Sequence, residues 1–201
     1  MVFTNNTISG GYANIVASGP SGTQAGNFTI SGNTLSNAYF TSMRLNYLKN
    51  FVVDDNDIDL RTQYNFAYGL YTRYCSEYVL SNNMINTCVA SGLYPNSSHY
   101  NTLNEASIFI YKINGELRTT STAYGAYSFN SRALNIYLNS FLVDNPGSSS
   151  YGMYLTGSQT TDMDIVNNSF KVDNPNASNS YAMYIISDTY IDTLDNNNYY
   201  T

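Results

Sequence analysis

Residues 163–170 read MDIVNNSF, and the way this stretch returns along the chain decides the fold. It has two parts: an alternating apolar run, then an asparagine two places before an apolar anchor. The second part recurs as Asn6-Thr7-Ile8, Asn33-Thr34-Leu35, Asn56-Asp57-Ile58, Asn83-Met84-Ile85, Asn139-Ser140-Phe141, Asn168-Ser169-Phe170 and Asn197-Asn198-Tyr199. Tyr111-Lys112-Ile113 fills the remaining gap in phase, so that the anchors lie 27, 23, 27, 28, 28, 29 and 29 residues apart. A period of this length, sustained from end to end, is the mark of a solenoid.

Working outward from the anchor, Phe28-Thr29-Ile30, Phe51-Val52-Val53, Tyr78-Val79-Leu80, Leu134-Asn135-Ile136 and Met163-Asp164-Ile165 precede it with period-two alternation. Alternation of this kind sends one set of side chains inward and the other outward from a sheet. A second strand phrase follows the anchor: Tyr68-Gly69-Leu70-Tyr71, Tyr124-Gly125-Ala126-Tyr127, Tyr151-Gly152-Met153-Tyr154 and Tyr181-Ala182-Met183-Tyr184. The small second residue suits a tight bend or a close backbone approach. Each unit therefore holds at least two short strands, with room for a third, and no segment sustains a 3.6-residue pattern. Propeller blades need longer units, and leucine-rich repeats need periodic leucines that are absent here. The expectation is an all-β, single-stranded parallel β-helix of about seven coils of roughly 28 residues, forming one domain over residues 1–201. At about 4.8 Å per coil it makes a rod of roughly 34 Å.

The asparagine two places before the anchor can bond turn backbone, tolerate unusual dihedrals and pass amide hydrogen bonds from coil to coil. Asn6, Asn33, Asn56, Asn83, Asn139, Asn168 and Asn197 are thus expected to form a ladder. Tyr111 interrupts it, which reads as a local irregularity beside a loop protruding over residues 94–105.

The phrase YGMYLTGSQTTDMDIVNNSF at residues 151–170 combines a glycine-bearing strand, a turn, an apolar strand and Asn-Asn-x-Phe. It resembles the right-handed parallel β-helix repeat of the pectin-lyase-like superfamily, especially the β-helix regions of large secreted or surface proteins of bacteria. That resemblance covers nearly the whole chain and implies a right-handed coil at an extracellular or cell-surface location. Because the superfamily includes lyases, hydrolases, epimerases, tailspikes and adhesins, it does not choose an activity.

Composition narrows the partners. The 201 residues carry 8 Lys plus Arg against 14 Asp plus Glu, a formal charge of -6. No basic stripe exists to neutralise phosphates, which excludes a nucleic-acid binder, and an anionic polymer or membrane surface would need bridging calcium. No apolar run reaches membrane-spanning length, and Met1-Val2-Phe3-Thr4 is no signal peptide. An uncapped solenoid end exposes lumen and strand edges, so flanking coils, further domains or associated chains are expected at one end at least. Cys75 and Cys88 form no metal motif and read as small buried apolar residues, with a disulfide left open.

Four groups of residues are candidates for chemistry. Tyr71, Tyr127, Tyr154 and Tyr184 share a repeat position, with His99 or Tyr100 in the intervening coil, and would line one side of the rod as a platform for a polysaccharide or a surface protein. Asp54, Asp55 and Asp57, with Asp59 and Arg61, gather oxygen ligands of the kind Ca²⁺ takes, although alternation turns neighbours apart. Asp144 and Asp173 recur inside VDNP as turn residues. Asp164, Asp192 and Asp195 are the late carboxylates that a glycoside hydrolase would need as a pair. Polygalacturonase-like enzymes carry an Asp-Asp pair with Gly-His-Gly and Arg-x-Lys segments. Asp54-Asp55 echoes the first, but the single histidine sits in Ser98-His99-Tyr100 and no Arg-x-Lys follows. Pectate-lyase-like chemistry would rest on Arg61 or Arg73 beside the Asp54–Asp59 cluster. The preferred reading is a non-catalytic structural or binding segment, and the rival is a polysaccharide lyase or glycoside hydrolase.

Overall fold

The computed structural model describes residues 1–60, 67–87, 91–96, 99–104, 107–110, 122–145, 148–158, 160–174 and 179–201. The chain is an all-β, right-handed parallel solenoid, and each coil contributes one strand to each of three sheets. The first sheet stacks β1 (Val2–Thr4), β4 (Ala25–Ser31), β7 (Leu48–Asp54), β10 (Ser76–Ser81), β13 (His99–Asn104), β16 (Arg132–Tyr137), β19 (Met163–Val166) and β22 (Ile191–Asp195). The second stacks β2 (Thr7–Ser9), β5 (Thr34–Ser36), β8 (Asp57–Leu60), β11 (Met84–Thr87), β14 (Ser107–Ile110), β17 (Ser140–Asp144), β20 (Ser169–Asp173) and β23 (Asn198–Tyr200). The third stacks β3 (Ala13–Ser18), β6 (Thr41–Asn46), β9 (Tyr68–Arg73), β12 (Ser91–Asn96), β15 (Thr122–Phe129), β18 (Ser149–Thr156) and β21 (Asn179–Ile185). Every pairing is parallel. The third strand for which the repeat had room is therefore present, and a single 3-10 turn, Asp188–Tyr190, links β21 to β22.

Alternation fills the lumen as expected. Ile30, Val53, Leu80, Ile136 and Ile165 point inward from the first sheet, and Leu35, Ile58, Ile85, Phe141 and Phe170 do so from the second. Like residues stack on like: Phe28, Phe51 and Tyr78 have ring centroids 4.9 and 4.8 Å apart, and Phe141 lies 4.9 Å from Phe170. Each buried Leu, Ile or Phe contributes roughly 1.5–3 kcal/mol of transfer free energy. In a coil about 5 Å thick, most of that contact is with the coils directly above and below.

One register differs from the expectation. Ile108, not Ile113, pairs with Ile85 on one side and Phe141 on the other. The anchor thus comes 23 residues after Ile85 and 33 before Phe141. Tyr111 and Ile113 lie outside the described residues, as does Ala106, which occupies the position two before the true anchor. The even spacing through Ile113 arose because a short coil and a long coil average to the period. Residues 94–105, expected to protrude as a loop, instead include the end of β12 and all of β13.

The asparagine ladder is present. Nδ2 of Asn6 donates to Oδ1 of Asn33, Asn33 to Asn56, and Asn56 to Asn83, at 3.0, 2.9 and 2.9 Å. Asn139 continues to Asn168 and Asn168 to Asn197, both at 3.0 Å. Each receiving Oδ1 also takes the backbone N–H of the asparagine before it, as from Asn33 N to Asn56 Oδ1 at 3.1 Å. The second amide hydrogen reaches carbonyls at the coil corner, as from Asn56 to Ile30 and Asp54. Corner groups that burial would orphan are thereby satisfied. The left-handed backbone falls one residue earlier than expected: Asn5, Gly32, Asp55, Asn82, Leu138, Asn167 and Asn196 all have φ between 50° and 65°.

Candidate functional site

The third sheet carries the most unusual surface. Its strands β15, β18 and β21 read TAYGAYSF, SSYGMYLT and NSYAMYI and contain no charged side chain. In a regular strand, tyrosines three apart would face opposite sides. Here two consecutive residues, Gly125-Ala126 and Gly152-Met153, are buried, and the strand bends between the tyrosines so that both point outward. Glycine is required at the bend because a Cβ on Gly152 would lie 2.4 Å from the Ala182 carbonyl oxygen. The same atom on Gly125 would meet the Gly152 carbonyl at 2.5 Å.

Two tyrosine columns result. Tyr124, Tyr151 and Tyr181 stand in register, with centroids 5.2 and 5.5 Å apart and planes within 14°. Tyr127, Tyr154 and Tyr184 form the second, at 5.4 and 5.2 Å. Across each strand the partners lie 5.0, 5.0 and 5.1 Å apart, giving a two-by-three lattice. Earlier in the chain Tyr68 and Tyr71 repeat the pair at 5.5 Å, and the Arg44 guanidinium sits over Tyr71.

Burial raises the Tyr124 phenol to about 12, reinforced by Tyr127, Tyr151 and Tyr154 around it. Tyr127, Tyr151 and Tyr154 shift the same way, each chiefly through burial. At neutral pH the lattice is therefore an uncharged surface on an acidic protein.

The lattice differs from the sequence expectation in two respects. Tyr94, not His99, pairs with Tyr71 in the column. His99 belongs to β13 in the first sheet, between Ser76 and Arg132. The inner column, beginning at Tyr68 and including Tyr124, Tyr151 and Tyr181, was missed. Its signal in the sequence is the first tyrosine of each Tyr-small-x-Tyr phrase, which strict alternation alone would turn inward. Moreover, the rings stack on one another. Tyr151 has neighbours on both faces, so the interior rows offer ring edges and hydroxyls outward rather than flat surfaces.

The carboxylates do not converge. Among the described residues no group of three or more His, Cys, Asp or Glu side chains could hold a metal ion. The Asp54 carboxylate accepts from Ser81 Oγ at 2.6 Å and Asn82 Nδ2 at 2.9 Å, securing the next coil's corner. Asp55 occupies the left-handed turn position, and Asp57 starts β8 with its pKa raised by burial and by Asp59. Asp164 is in register with Thr193 and Asp195 with Val166, while Asp192 is the extra residue at the register shift opposite Met163 and Asp164. Asp144 and Asp173 are register partners, and the adjacent Asn145 ties the turn to Ser149 O and Ser150 Oγ.

Arg73 lies over the Tyr74 ring, 4.8 Å from its centroid. Arg61 and Cys88 fall outside the described residues. Cys75 is buried, its Sγ–H donating towards the carbonyls of Leu45 and Arg73 at 3.4 Å, and burial pushes its pKa up to about 11.

No helix among the described residues is long and apolar enough to cross a membrane. Neither the curated proteins nor the solved structures contain a match to this chain. A family model described as periplasmic copper-binding protein (NosD) matches residues 1–200, and by that match the chain belongs to the NosD family.

Proposed function

We propose that this protein is a non-catalytic binding scaffold that works outside the bacterial cytoplasm and docks a neutral, elongated ligand, a polysaccharide, along its tyrosine lattice. The observation that carries this reading is the pair of tyrosine columns on three strands devoid of charge. Phenol hydroxyls and ring edges at intervals of 5.2–5.5 Å supply amphipathic contacts along the rod without selecting for an anion. The periplasmic setting in the family's description supports the location, and the coil architecture is compatible with the wider pectin-lyase-like group.

The copper in that description finds no donor set among the described residues. Copper(I) favours thiolate, thioether and imidazole donors. Cys75 is held protonated in the core, Met43, Met153 and Met163 are buried in the lumen, Met183 packs against it, and the exposed Met1 and Met84 stand three coils apart, before β1 and at the start of β11. The binding reading therefore rests on the tyrosines alone.

A glycan array probed with the wild type and with Tyr127→Ala and Tyr154→Ala variants tests it. Binding to neutral glycans that falls about tenfold in either variant and is indifferent to chelators supports the proposal. Unchanged binding in both variants, or release of new sugar ends or unsaturated products from bound glycan, overturns it.

A further inference from the structure

The tyrosine lattice has a period as well as a composition. Its inner column steps along the rod by 5.2 and 5.5 Å and its outer column by 5.4 and 5.2 Å, one ring of each column per coil. The columns also keep their orientation. Neighbouring strands of an ordinary sheet rotate by roughly 20–25° at each step. Here the planes of Tyr124, Tyr151 and Tyr181 differ by 14° and 11°, and those of Tyr154 and Tyr184 by 9°. Tyr127, tilted 51° to Tyr154, departs from this alignment.

Such a rail selects by repeat. A polymer whose repeat follows the coil step meets every row in the same way, so its contacts accumulate. One that winds, or whose repeat differs, leaves the rows after a unit or two. Resting on the reading of the lattice as a polysaccharide platform, the geometry points to a neutral β-1,4-linked glycan, extended along the rod axis with one sugar to each coil. In chains of this linkage such as β-1,4-glucan, both bonds that leave each pyranose are equatorial. The chain is therefore a flat ribbon that advances by about one ring length per sugar, close to the step between coils. An α-1,4-linked glucan leaves its anomeric carbon axially and winds into a helix, which keeps step with neither column.

The doubling of the columns fits the same ribbon. Each sugar of a two-fold chain is turned over relative to the last, so the edge bearing the hydroxymethyl group and the edge bearing ring hydroxyls exchange sides at every step. A face with different residues on its two sides would suit only every second sugar. Here both sides carry the same residue, with Tyr124 beside Tyr127, Tyr151 beside Tyr154 and Tyr181 beside Tyr184 at 5.0, 5.0 and 5.1 Å. A phenol both donates and accepts, so it serves a hydroxyl or a ring oxygen alike. The ring edges meet the C–H groups between them, and β15, β18 and β21 bring no charge to the contact.

The test is calorimetric titration of the full chain with cello- and β-1,4-manno-oligosaccharides of two to five units, against malto-oligosaccharides of the same lengths. Affinity for the β-1,4 series is expected to rise about three- to tenfold with each sugar up to at least the third. The malto series is expected to gain nothing with length and to be about tenfold weaker at three units. Tyr151→Ala, in the middle row, is expected to weaken the β-1,4 trisaccharide about tenfold, and Tyr151→Phe, which keeps the ring stack, by less. Equal affinity for the two linkages at equal length, no gain with length, no binding of either β-1,4 series at about 10 mM, or a trisaccharide indifferent to both Tyr151 variants overturns the inference. The two readings fail separately. Glycan binding that is lost in Tyr127→Ala and Tyr154→Ala but shows no preference for the β-1,4 linkage keeps the platform and removes the linkage, whereas array binding indifferent to both variants removes the platform and this inference with it.

Discussion

Asn56 donates its side-chain amide to Oδ1 of Asn83 at 2.9 Å while its own Oδ1 accepts both the backbone and side-chain N–H of Asn33. One residue thus satisfies polar groups in three successive coils, and it is 2% exposed. A conservative-looking change here disturbs the stack in both directions.

Asn56→Ala leaves the Asn33 backbone N–H without its acceptor, while Asn33 Nδ2 keeps the Phe3 and Ser31 carbonyls, and should cost about 2–3 kcal/mol, since each buried orphan costs about 1–3 kcal/mol. Asn56→Asp should cost more, because a carboxylate cannot donate to Asn83 Oδ1 or to the Ile30 carbonyl. Asn197→Ala removes the acceptor of Asn168 N and Nδ2 in the same way, but Asn197 is only half-buried, so water replaces part of what is lost and the cost should be about 1 kcal/mol. Urea denaturation of the three variants checks the order, and equal losses at Asn56 and Asn197 would contradict the ladder's role.

Gly152→Ala should destabilise by about 2 kcal/mol, as overpacking against fixed backbone does. Its Cβ would meet the Ala182 carbonyl oxygen and the Phe170 ring together. Thermal denaturation measures the loss. A neutral outcome would mean that the strand bend relaxes freely and that glycine is not needed to present both tyrosines.

Leu138 holds φ at 57° where Asn5, Asn82, Asn167 and Asn196 share the left-handed position in other coils, and its side chain is 51% exposed. Leu138→Asn should therefore stabilise the protein by about 1 kcal/mol, relieving a conformation that costs a non-Gly residue about 1–2 kcal/mol. The urea midpoint should rise with no change in slope.

The tyrosine lattice predicts the alkaline limit of the fold. A phenol whose folded pKa lies above its unfolded value stabilises fully below the unfolded pKa and loses that contribution as pH rises through the folded one. For Tyr124 the window runs from the ordinary value of 10 to about 12. Absorbance titration of phenolate should show a late-titrating class in the folded protein, and melting temperature should fall across the same window. Tyr124→Phe should flatten that fall.

Cys75 should resist alkylation in the folded protein at mildly alkaline pH, because its thiol is buried and stays protonated up to about 11. Peptide mapping after iodoacetamide treatment, with and without urea, checks this. Rapid modification without denaturant would place the residue outside the core.

The recurrence of Asn-x-apolar and the alternation before it determined the solenoid, the lumen columns and the ladder, because these depend on local pattern repeated in phase. Seven ladder asparagines were legible from their spacing alone. Tertiary contact decided which residue meets which. Parallel register is set by hydrogen bonds and ring stacking between coils, while the corners absorb insertions at little energetic cost. A coil of 23 residues followed by one of 33 is therefore invisible to an average period, and Ile108 rather than Ile113 takes the anchor. The same holds for the tyrosines. Their number and repeat were plain in the chain, but a buried Gly-Ala or Gly-Met pair bends each strand and turns both rings outward, where they cover one another's faces. Whether a ring offers its face or its edge depends on its neighbours above and below, and those neighbours exist only in the folded stack.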